Sequence, residues 1–397
     1  MPSNRHTLDT GEAACCYNRQ YFELGMVPGN FKWEIPDYST IMKISRRNFI
    51  ATAPLMAAVP LAAAESKSTS RPAPSGLIDC QSHLFLKPVV DMMRKRRDYP
   101  RVYDEGSTTF LKMGSWLRKI PPHYLSVENK LAAMDEAGIE ITMLSTNDPG
   151  PEWFGNDGPA VSRLIHDSIA DVVRKHPSRF HGLCVLPLQD ERASGEELDR
   201  CIKLGFKGIL LYTNLAGAWC DEPKFRWLYA RAEELGMPIL LHPAKPTTTE
   251  QVKGYELTST MGNMFENTIA MSRIIASGLL DKHPRLKLVC PHLGGTLPYI
   301  IGRMDHQLAV LKRSNQNLER KPSEYLRDIY LDMVSPLAEA MQFAVEFSGP
   351  GKLLFSSDHP WVLPKYIIEP MRSLNLPEPD EQKIFRQNAW DLFQLGA

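Results

Sequence analysis

Residues 207–242 read KGILLYTNLAGAWCDEPKFRWLYARAEELGMPILLH, and the pattern of this stretch indicates the fold. An apolar run at Lys207–Tyr212 precedes an amphipathic stretch over Pro223–Leu235, which ends at Gly236, and a second apolar run follows at Pro238–His242. Short, nearly continuous apolar runs are typical of strands that are buried on both faces, and glycine commonly follows the last residue of a helix. The stretch therefore predicts a strand, a helix and a second strand, the unit from which parallel α/β folds are built.

This unit repeats along the chain. Short runs rich in Ile, Val and Leu alternate with longer amphipathic stretches, and eight strands alternating with eight helices predict an α/β fold, the TIM (β/α)8 barrel. The strands are predicted at Leu77–Leu84, Ile141–Thr146, Phe180–Leu188, Lys207–Tyr212, Pro238–His242, Leu286–His292, Ile329–Val334 and Leu353–Ser357. The helices are predicted at Val127–Ala137, Ala160–Lys175, Glu196–Leu204, Pro223–Leu235, Met264–Leu280, Thr296–Leu311, Leu337–Phe347 and Glu381–Phe393.

One long connection interrupts the alternation. Lys87–Pro122 lies between the first strand and its helix and is rich in Arg, Tyr and Pro. Long loops in compact domains are commonly functional, so this segment is predicted to be a lid or specificity loop over the barrel.

The composition argues against two classes of protein. Lys plus Arg equals Asp plus Glu at 46 each, so the net charge is zero, whereas a nucleic-acid-binding protein needs a basic excess on one face. The seven cysteines show no regular spacing and do not form a disulfide framework. A small carboxylated ligand stays compatible with this charge balance, because one arginine can bind a carboxylate.

The beginning of the chain is predicted to be a targeting signal. Arg46 and Arg47 precede a moderately apolar stretch that ends in Ala62–Ala64, so residues 42–64 are interpreted as a twin-arginine signal peptide with a small-residue cleavage site. The apolar stretch is shorter than the about 20 residues that span a bilayer. We therefore expect export to the periplasm without a stable membrane anchor after cleavage.

The signal also sets the expected domain boundaries. Residues 1–41 show no helix or strand period, and we expect Met42 to be the true start and 1–41 to be an over-extended part of the gene model. Residues 65–75, rich in Ser and Pro, are predicted to be a linker, and 76–397 to be one folded barrel domain.

Four predicted strands end in side chains that bind metals. His83, His242 and His292 lie at the ends of the first, fifth and sixth predicted strands, and Asp358 comes directly after the eighth. In a TIM barrel the active site lies at the carboxyl ends of the strands, so these side chains are expected to meet. Gln81 precedes His83 by two residues and shares its strand face, so it is expected to point to the barrel axis as well.

With these residues the chain resembles the amidohydrolase superfamily in its amidohydrolase-related branch. That branch includes aminocarboxymuconate-semialdehyde decarboxylase, related decarboxylases and lactone hydrolases. The resemblance covers nearly all of Leu77–Leu395 and implies a TIM barrel of the metal-dependent hydrolase type. The matching motifs, in chain order, are IDCQSH, LSVENKLAAMDEAGIE, LLHP, CPHLGGTLPYIIGRMD and FSSDHP.

The resemblance implies a role for each of these residues. His83 and His242 would be ligands of one divalent metal ion, zinc or manganese, and Asp358 would be the ligand from the eighth strand. His292 would be a catalytic or water-orienting residue beside the metal. Arg303 matches an arginine that binds a substrate carboxylate, sometimes from a neighbouring subunit, so a homodimer is one expected assembly.

Gln81 departs from the pattern of the branch, whose first strand usually carries His-x-His or Glu-x-His. A glutamine carbonyl is a poor zinc ligand beside imidazole and suits harder ions better. Three alternatives stay open at this point. Gln81 is a weak additional ligand, or three side chains and water hold the metal, or the barrel has lost catalysis and only binds a small molecule.

The metal site allows two reactions. A divalent metal lowers the pKa of bound water, and with Asp358 as proton acceptor and His292 steadying the oxyanion it would hydrolyse a lactone, ester or amide-like bond. Hydrolysis of a small carboxylated substrate is the expected activity. The alternative is a non-oxidative decarboxylase of a cyclic or enol carboxylic acid, which the first-strand oxygen donor also favours.

Overall fold

The computed structural model describes residues 76–314 and 317–396. The segments predicted at 1–41, 42–64 and 65–75 lie outside the described residues. Within the described residues no helix is both long enough and apolar enough to cross a membrane.

Eight parallel strands, β1 to β8, form one sheet in which chain order and neighbour order agree, and this confirms the predicted barrel. Most of their residues are apolar and buried; Gly208–Tyr212, for example, is buried throughout. The core therefore fills both the barrel interior and the layer between strands and helices. In order, the strands are Leu77–Leu84, Ile139–Thr146, Phe180–Cys184, Gly208–Tyr212, Ile239–His242, Leu288–Cys290, Tyr330–Asp332 and Leu353–Leu354.

β8 and β1 close the barrel at a seam that differs from the other seven contacts. In the described chain no regular ladder joins these two strands. Three backbone bonds connect them instead, from Cys80 N to Phe355 O at 3.0 Å, from Asp358 N to Gln81 O at 3.0 Å and from His83 N to His359 O at 2.7 Å. The ends of β1 and β8, which carry two of the predicted metal ligands, are thus direct neighbours.

β6 and β8 end earlier than the apolar runs predicted. The run at Leu286–His292 leaves the sheet after Cys290, and His292 adopts φ 55°. The run at Leu353–Ser357 is followed by Asp358 at φ 58°. Non-glycine residues with positive φ are uncommon and concentrate at functional sites, so both strands end where the backbone turns to aim a polar side chain.

Helices surround the barrel, and the chain caps several of them. Ser126 accepts a hydrogen bond from the backbone of Asn129, and Gly138 in the left-handed conformation ends that helix, as predicted. Three helices that the sequence did not indicate lie at Lys87–Arg94, Pro322–Asp328 and Lys365–Ser373. The α-helices are Lys87–Arg94, Val127–Ala137, Gly158–Lys175, Glu191–Lys203, Arg226–Leu235, Asn263–Ala276, Leu279–Lys282, Leu297–Met304, Pro322–Asp328, Ala338–Ser348, Lys365–Ser373, Glu378–Gln382 and Asn388–Leu392.

The connection after β1 is folded rather than an open loop. It contains the helix Lys87–Arg94 and a three-stranded antiparallel sheet formed by Arg101–Glu105, Thr108–Met113 and Trp116–Lys119. We call this three-stranded sheet the insertion sheet. Both of its hairpins turn on two residues, Gly-Ser in each case, and Gly106 and Gly114 adopt positive φ. Such turns favour glycine at this position, because it adopts positive φ without strain.

Candidate metal centre

Two histidines present free nitrogen atoms at the carboxyl end of the barrel. Nδ1 of His83 lies 2.7 Å from Oγ of Ser145, which itself donates to the carbonyl of Ser82, so Nδ1 carries the proton. Nδ1 of His242 donates to the carbonyl of Pro243 at 2.8 Å. In both rings Nε2 is therefore the unprotonated nitrogen. Among the described residues neither Nε2 has a hydrogen-bond partner, although both are buried.

Asp358 completes a three-ligand group with these histidines. Its Oδ1 lies 3.2 Å from Nε2 of His83. One ligand atom from each of His83, His242 and Asp358 can be chosen so that all three lie within 4.8 Å of one another. Two neutral imidazoles and a carboxylate form a donor set suited to zinc or manganese, and two buried nitrogens without partners are what such an ion would satisfy. The residues fit one divalent cation.

His292 lies on the other side of the same carboxylate. Its Nε2 is 3.7 Å from Oδ2 of Asp358. The amide nitrogen of Asn267 donates to Nδ1 at 2.9 Å, which places the ring proton on Nε2, facing Asp358. The backbone N–H of His292 donates to Asp332 at 2.7 Å, and this bond holds the positive-φ turn. His292 therefore belongs beside the ligand group rather than in it.

The surroundings of these side chains shift their pKa values toward the protonation states that bind a cation. Burial lowers the pKa of His242 well below its usual value, and His83 lowers it further, so its nitrogen stays unprotonated. Burial raises the pKa of Asp358, but the close contacts with His292 and His83 outweigh burial, lower this pKa and leave the carboxyl ionised. Burial alone lowers the pKa of His292, yet Asp358 more than offsets it. Burial raises the pKa of Asp332 to about 6.

Gln81 reaches the site through Asp358. Its amide nitrogen lies 3.5 Å from Oδ1 of Asp358 and donates to it. The Gln81 side chain is buried, and this contact with Asp358 brings it to the site that its place two residues before His83 predicts. The structure thus brings Gln81 beside the three ligands and has it orient one of them.

The proximity of Gln81 leads to a prediction about zinc. Gln81→His should bind Zn²⁺ about tenfold more tightly, because imidazole is a better zinc ligand than an amide. Isothermal titration with zinc measures this, and Gln81→Leu, which removes the amide at similar size, is the control. Equal affinities for wild type and Gln81→His would show that position 81 does not face the ion.

A second buried group of potential ligands is already satisfied. His166, Glu197 and Cys201 also lie close enough together to hold an ion. Nδ1 of His166 bonds Glu197 at 2.6 Å, however, and its Nε2 accepts from the backbone of Val185 at 2.8 Å. With both ring nitrogens occupied, this histidine is a structural residue of the barrel wall.

The metal centre opens into a cavity of about 710 Å³. His242, His292 and Asp358 lie among the lining residues, and the insertion sheet contributes part of the wall. Such a volume is typical of a pocket for a small organic molecule. Aromatic side chains on the wall are Phe110, Trp116, Tyr124 and Trp361.

Arg118 lines this cavity together with Lys119, and the sequence did not single it out. It lies on the last strand of the insertion sheet, within the segment predicted to be a lid or specificity loop. Its guanidinium donates to Oδ1 of Asp148 at 2.7 Å and to the backbone carbonyl of Asp148 at 3.0 Å. It also stacks on Trp116, with 4.2 Å from Cζ to the ring centre. Arg118 is held rigidly and keeps N–H donors for a ligand.

The structure does not bring Arg303 to the cavity of its own chain. This residue is exposed on the helix Leu297–Met304, and the described lining residues of the cavity do not include it. Tyr299 and Ile300 on the same helix are exposed as well. A role for Arg303 in the site of a neighbouring subunit stays a prediction.

Known proteins that are similar to this chain include decarboxylases. The chain is 30% identical over 301 residues to a gamma-resorcylate decarboxylase of a Rhizobium species, covering 72% of this chain and 92% of that protein. It is 28% identical over 299 residues to a 2-amino-3-carboxymuconate-6-semialdehyde decarboxylase of Dictyostelium discoideum, covering 71% and 80%. A solved dihydroxybenzoic acid decarboxylase of a Polaromonas species, with bound manganese and the inhibitor 2-nitroresorcinol, matches with a TM-score of 0.69 at 26% identity, covering 82% and 98%.

These relatives confirm some expectations and correct one. The divalent metal site is confirmed, since the three ligands meet and the Polaromonas structure holds manganese. That the chain is an enzyme is supported, but the expected hydrolase activity is wrong, because these relatives are decarboxylases. The reason for the error is physical: metal-activated water and a metal-bound carboxylic acid require the same ligands, so the ligands do not distinguish hydrolysis from decarboxylation.

The family is shown by a match that extends over the whole barrel and not only by single residues. A family model described as amidohydrolase matches residues 78–395, which run from the first barrel strand to the last helix. This range contains every ligand and motif on which the resemblance rested. The chain belongs to the amidohydrolase family.

Proposed function

We propose that the chain is a metal-dependent, non-oxidative decarboxylase of small aromatic carboxylic acids. The observation that carries this proposal is the juxtaposition at one cavity of a three-ligand metal site, aromatic walls and Arg118. The decarboxylase relatives support the same reaction, and two solved relatives hold 2,6-dihydroxybenzoate or 2-nitroresorcinol.

The ligand set favours manganese or zinc as the resident ion. His83 and His242 would hold it through Nε2, and Asp358 through its carboxylate. A bound divalent cation supplies positive charge that attracts the oxygen atoms of a carboxylic acid and stabilises negative charge developing on them.

The protein's own side chains would orient the substrate. The flat rings of Trp116, Tyr124 and Trp361 offer stacking surfaces for an aromatic ring, while Arg118 offers N–H donors to an acidic group. Decarboxylation breaks the carbon–carboxylate bond, releases CO₂ and leaves an electron pair on carbon, which takes up one proton. His292 lines the cavity and holds its Nε2 proton toward Asp358, so this pair is the proton donor that we assign.

Direct detection of product tests the reaction class. Purified protein loaded with manganese is incubated with 2,6-dihydroxybenzoate and other hydroxylated benzoates, and CO₂ release and the new ring C–H signal are followed by NMR. We expect stoichiometric CO₂ and decarboxylated ring from at least one acid. Absence of CO₂ from the whole panel by a protein that holds its metal, together with turnover of lactones, would contradict the proposal.

Arg118 should contribute to substrate binding more than to chemistry. Removing its charge in Arg118→Met is expected to raise KM about 10- to 100-fold, the cost of one hydrogen bond to a charged group, with a smaller change in kcat. Steady-state kinetics of CO₂ release measure the split. Arg94→Met changes a neighbouring arginine that pairs with Asp104 away from the cavity and should leave KM unchanged; an unchanged KM in Arg118→Met would remove this role.

We further propose export through the twin-arginine route. The proposal rests on Arg46 and Arg47 ahead of an apolar stretch that ends in alanines. Replacing both with lysine should retain the protein in the cytoplasm, as cell fractionation would measure. Arg71→Lys, a change outside the signal, is the control, and normal periplasmic recovery of the double variant would refute the route.

A further inference from the structure

The metal centre lies at the seam between β1 and β8. His83 lies near the end of β1 and Asp358 follows β8, so two of the three proposed ligands lie on opposite sides of the seam. In the described chain three backbone hydrogen bonds cross this seam, whereas regular ladders join the other seven neighbouring strand pairs. Asp358 is also held at φ 58°, a conformation that non-glycine residues rarely adopt. Side-chain contacts that cross the seam therefore help to fix the distance between these ligands.

Lys130 lies across the seam with its ammonium group fully enclosed. The residue is 2% exposed, which is unusual because lysine is rarely buried without partners. Its Nζ donates to Oγ of Ser82 at 2.6 Å and to the carbonyl of His83 at 2.9 Å, both on β1. On the other side Nζ lies 3.1 Å from Nδ1 and 3.3 Å from the backbone carbonyl of His359, which follows Asp358 directly.

These contacts are enough to satisfy every N–H of the ammonium group. Lysine has three N–H donors and no acceptor, and four acceptor atoms surround Nζ, two from Ser82 and His83 on one side of the seam and two from His359 on the other. Because Nζ only donates, Nδ1 of His359 has to accept. A buried charge with every donor satisfied holds its partners in one geometry, since breaking any bond leaves it uncompensated.

A second clamp lies one layer below. The carboxylate of Asp79 on β1 accepts from the backbone N–H of Ser357 at 2.9 Å and from its Oγ at 2.5 Å. Oγ of Ser357 in turn accepts from the backbone of His359 at 3.0 Å. Side chains therefore reinforce the seam at two levels, and Lys130 is the clamp nearer to the ligands.

We propose that Lys130 is a positioning residue for the metal centre: its ammonium group joins the ends of β1 and β8 and thereby sets the separation of His83 from Asp358. The inference rests on the proposed function, because it needs His83 and Asp358 to be ligands. Binding sites hold their geometry only when such supporting contacts are rigid, and changes in the groups that orient metal ligands typically weaken binding about 10- to 100-fold.

The test compares two changes in one helix. Lys130→Met keeps the length of the side chain and removes its donors, while Met134→Ala removes buried volume one turn later and does not touch the seam. Manganese is titrated into each metal-free protein, affinity is measured by calorimetry, and the electron paramagnetic resonance spectrum of bound Mn²⁺ reports ligand symmetry. We expect Lys130→Met to weaken binding about 10- to 100-fold and to alter the spectrum, and Met134→Ala to lower the melting temperature with affinity unchanged.

Other results of this experiment distinguish failure of the inference about Lys130 from failure of the proposed function. If Lys130→Met binds manganese within about twofold of wild type, the inference is overturned while the metal site stands. If wild type itself binds no manganese or zinc, the proposed function fails first. Should Lys130→Met not fold, Ser82→Ala removes one acceptor and should still weaken binding several-fold; wild-type affinity in Ser82→Ala would overturn the inference as well.

Discussion

Asp358→Asn is expected to reduce the rate of CO₂ release by about 10²–10³-fold or more. The change keeps the shape of the side chain but removes the negative charge that would bind the cation and the oxygen that faces the Nε2 proton of His292. Burial alone would raise the pKa of this carboxyl, but the two histidines, His292 and His83, lower it. The site therefore stabilises the ionised form. Single-turnover kinetics with manganese-loaded protein measure the loss.

A matched control separates this effect from damage to the fold. Asp221→Asn also removes a buried carboxylate, one that pairs with Arg273 outside the cavity lining. That variant should keep wild-type turnover even if its stability falls. If Asp358→Asn retained more than about a tenth of wild-type activity, Asp358 would be neither ligand nor partner of the transferred proton.

Removal of the metal is the second large effect. Treatment with a chelator should abolish decarboxylation, and addition of Mn²⁺ should restore it. Because the ion binds the folded state, a concentration a hundredfold above its Kd adds about 2.7 kcal/mol of stability, which corresponds to a rise of roughly 5 °C in melting temperature for a domain of this size. Differential scanning calorimetry of the metal-free protein with and without Mn²⁺ measures the shift.

His242→Ala is the control for that shift. It removes one of the two imidazoles whose Nε2 lacks a partner among the described residues, and it should abolish the rise in melting temperature. Full activity of chelator-treated protein, verified to be metal-free, would show that the reaction does not depend on an ion at this site.

The sequence predicted the barrel well because its signals are local. Runs such as Gly208–Tyr212 are apolar on both faces and alternate with helices that glycines end. The insertion sheet was not predicted, since its strands are short and rich in Arg, Tyr and Lys. Its two Gly-Ser turns, around Gly106 and Gly114, were the signal that could have indicated hairpins.

The sequence predicted the site residues that lie at the ends of strands, but not those that reach the site from other elements. His83, His242 and Asp358 meet because the barrel brings together the carboxyl ends of its strands. Arg118 enters the cavity through the fold of the insertion sheet, and Lys130 reaches the seam from a helix interior, where lysine usually points to solvent. Neither position follows from strand order. The reaction class was not predictable either, because hydrolysis and decarboxylation share these ligands.

We propose that one divalent cation binds where three strand ends meet. Anomalous scattering from crystals grown with manganese or zinc tests it most directly. We predict a single strong peak within roughly 2.0–2.3 Å of Nε2 of His83, Nε2 of His242 and a carboxylate oxygen of Asp358. A metal-containing crystal with its peak elsewhere, or with density at this position explained by water alone, would contradict the assignment of this metal site.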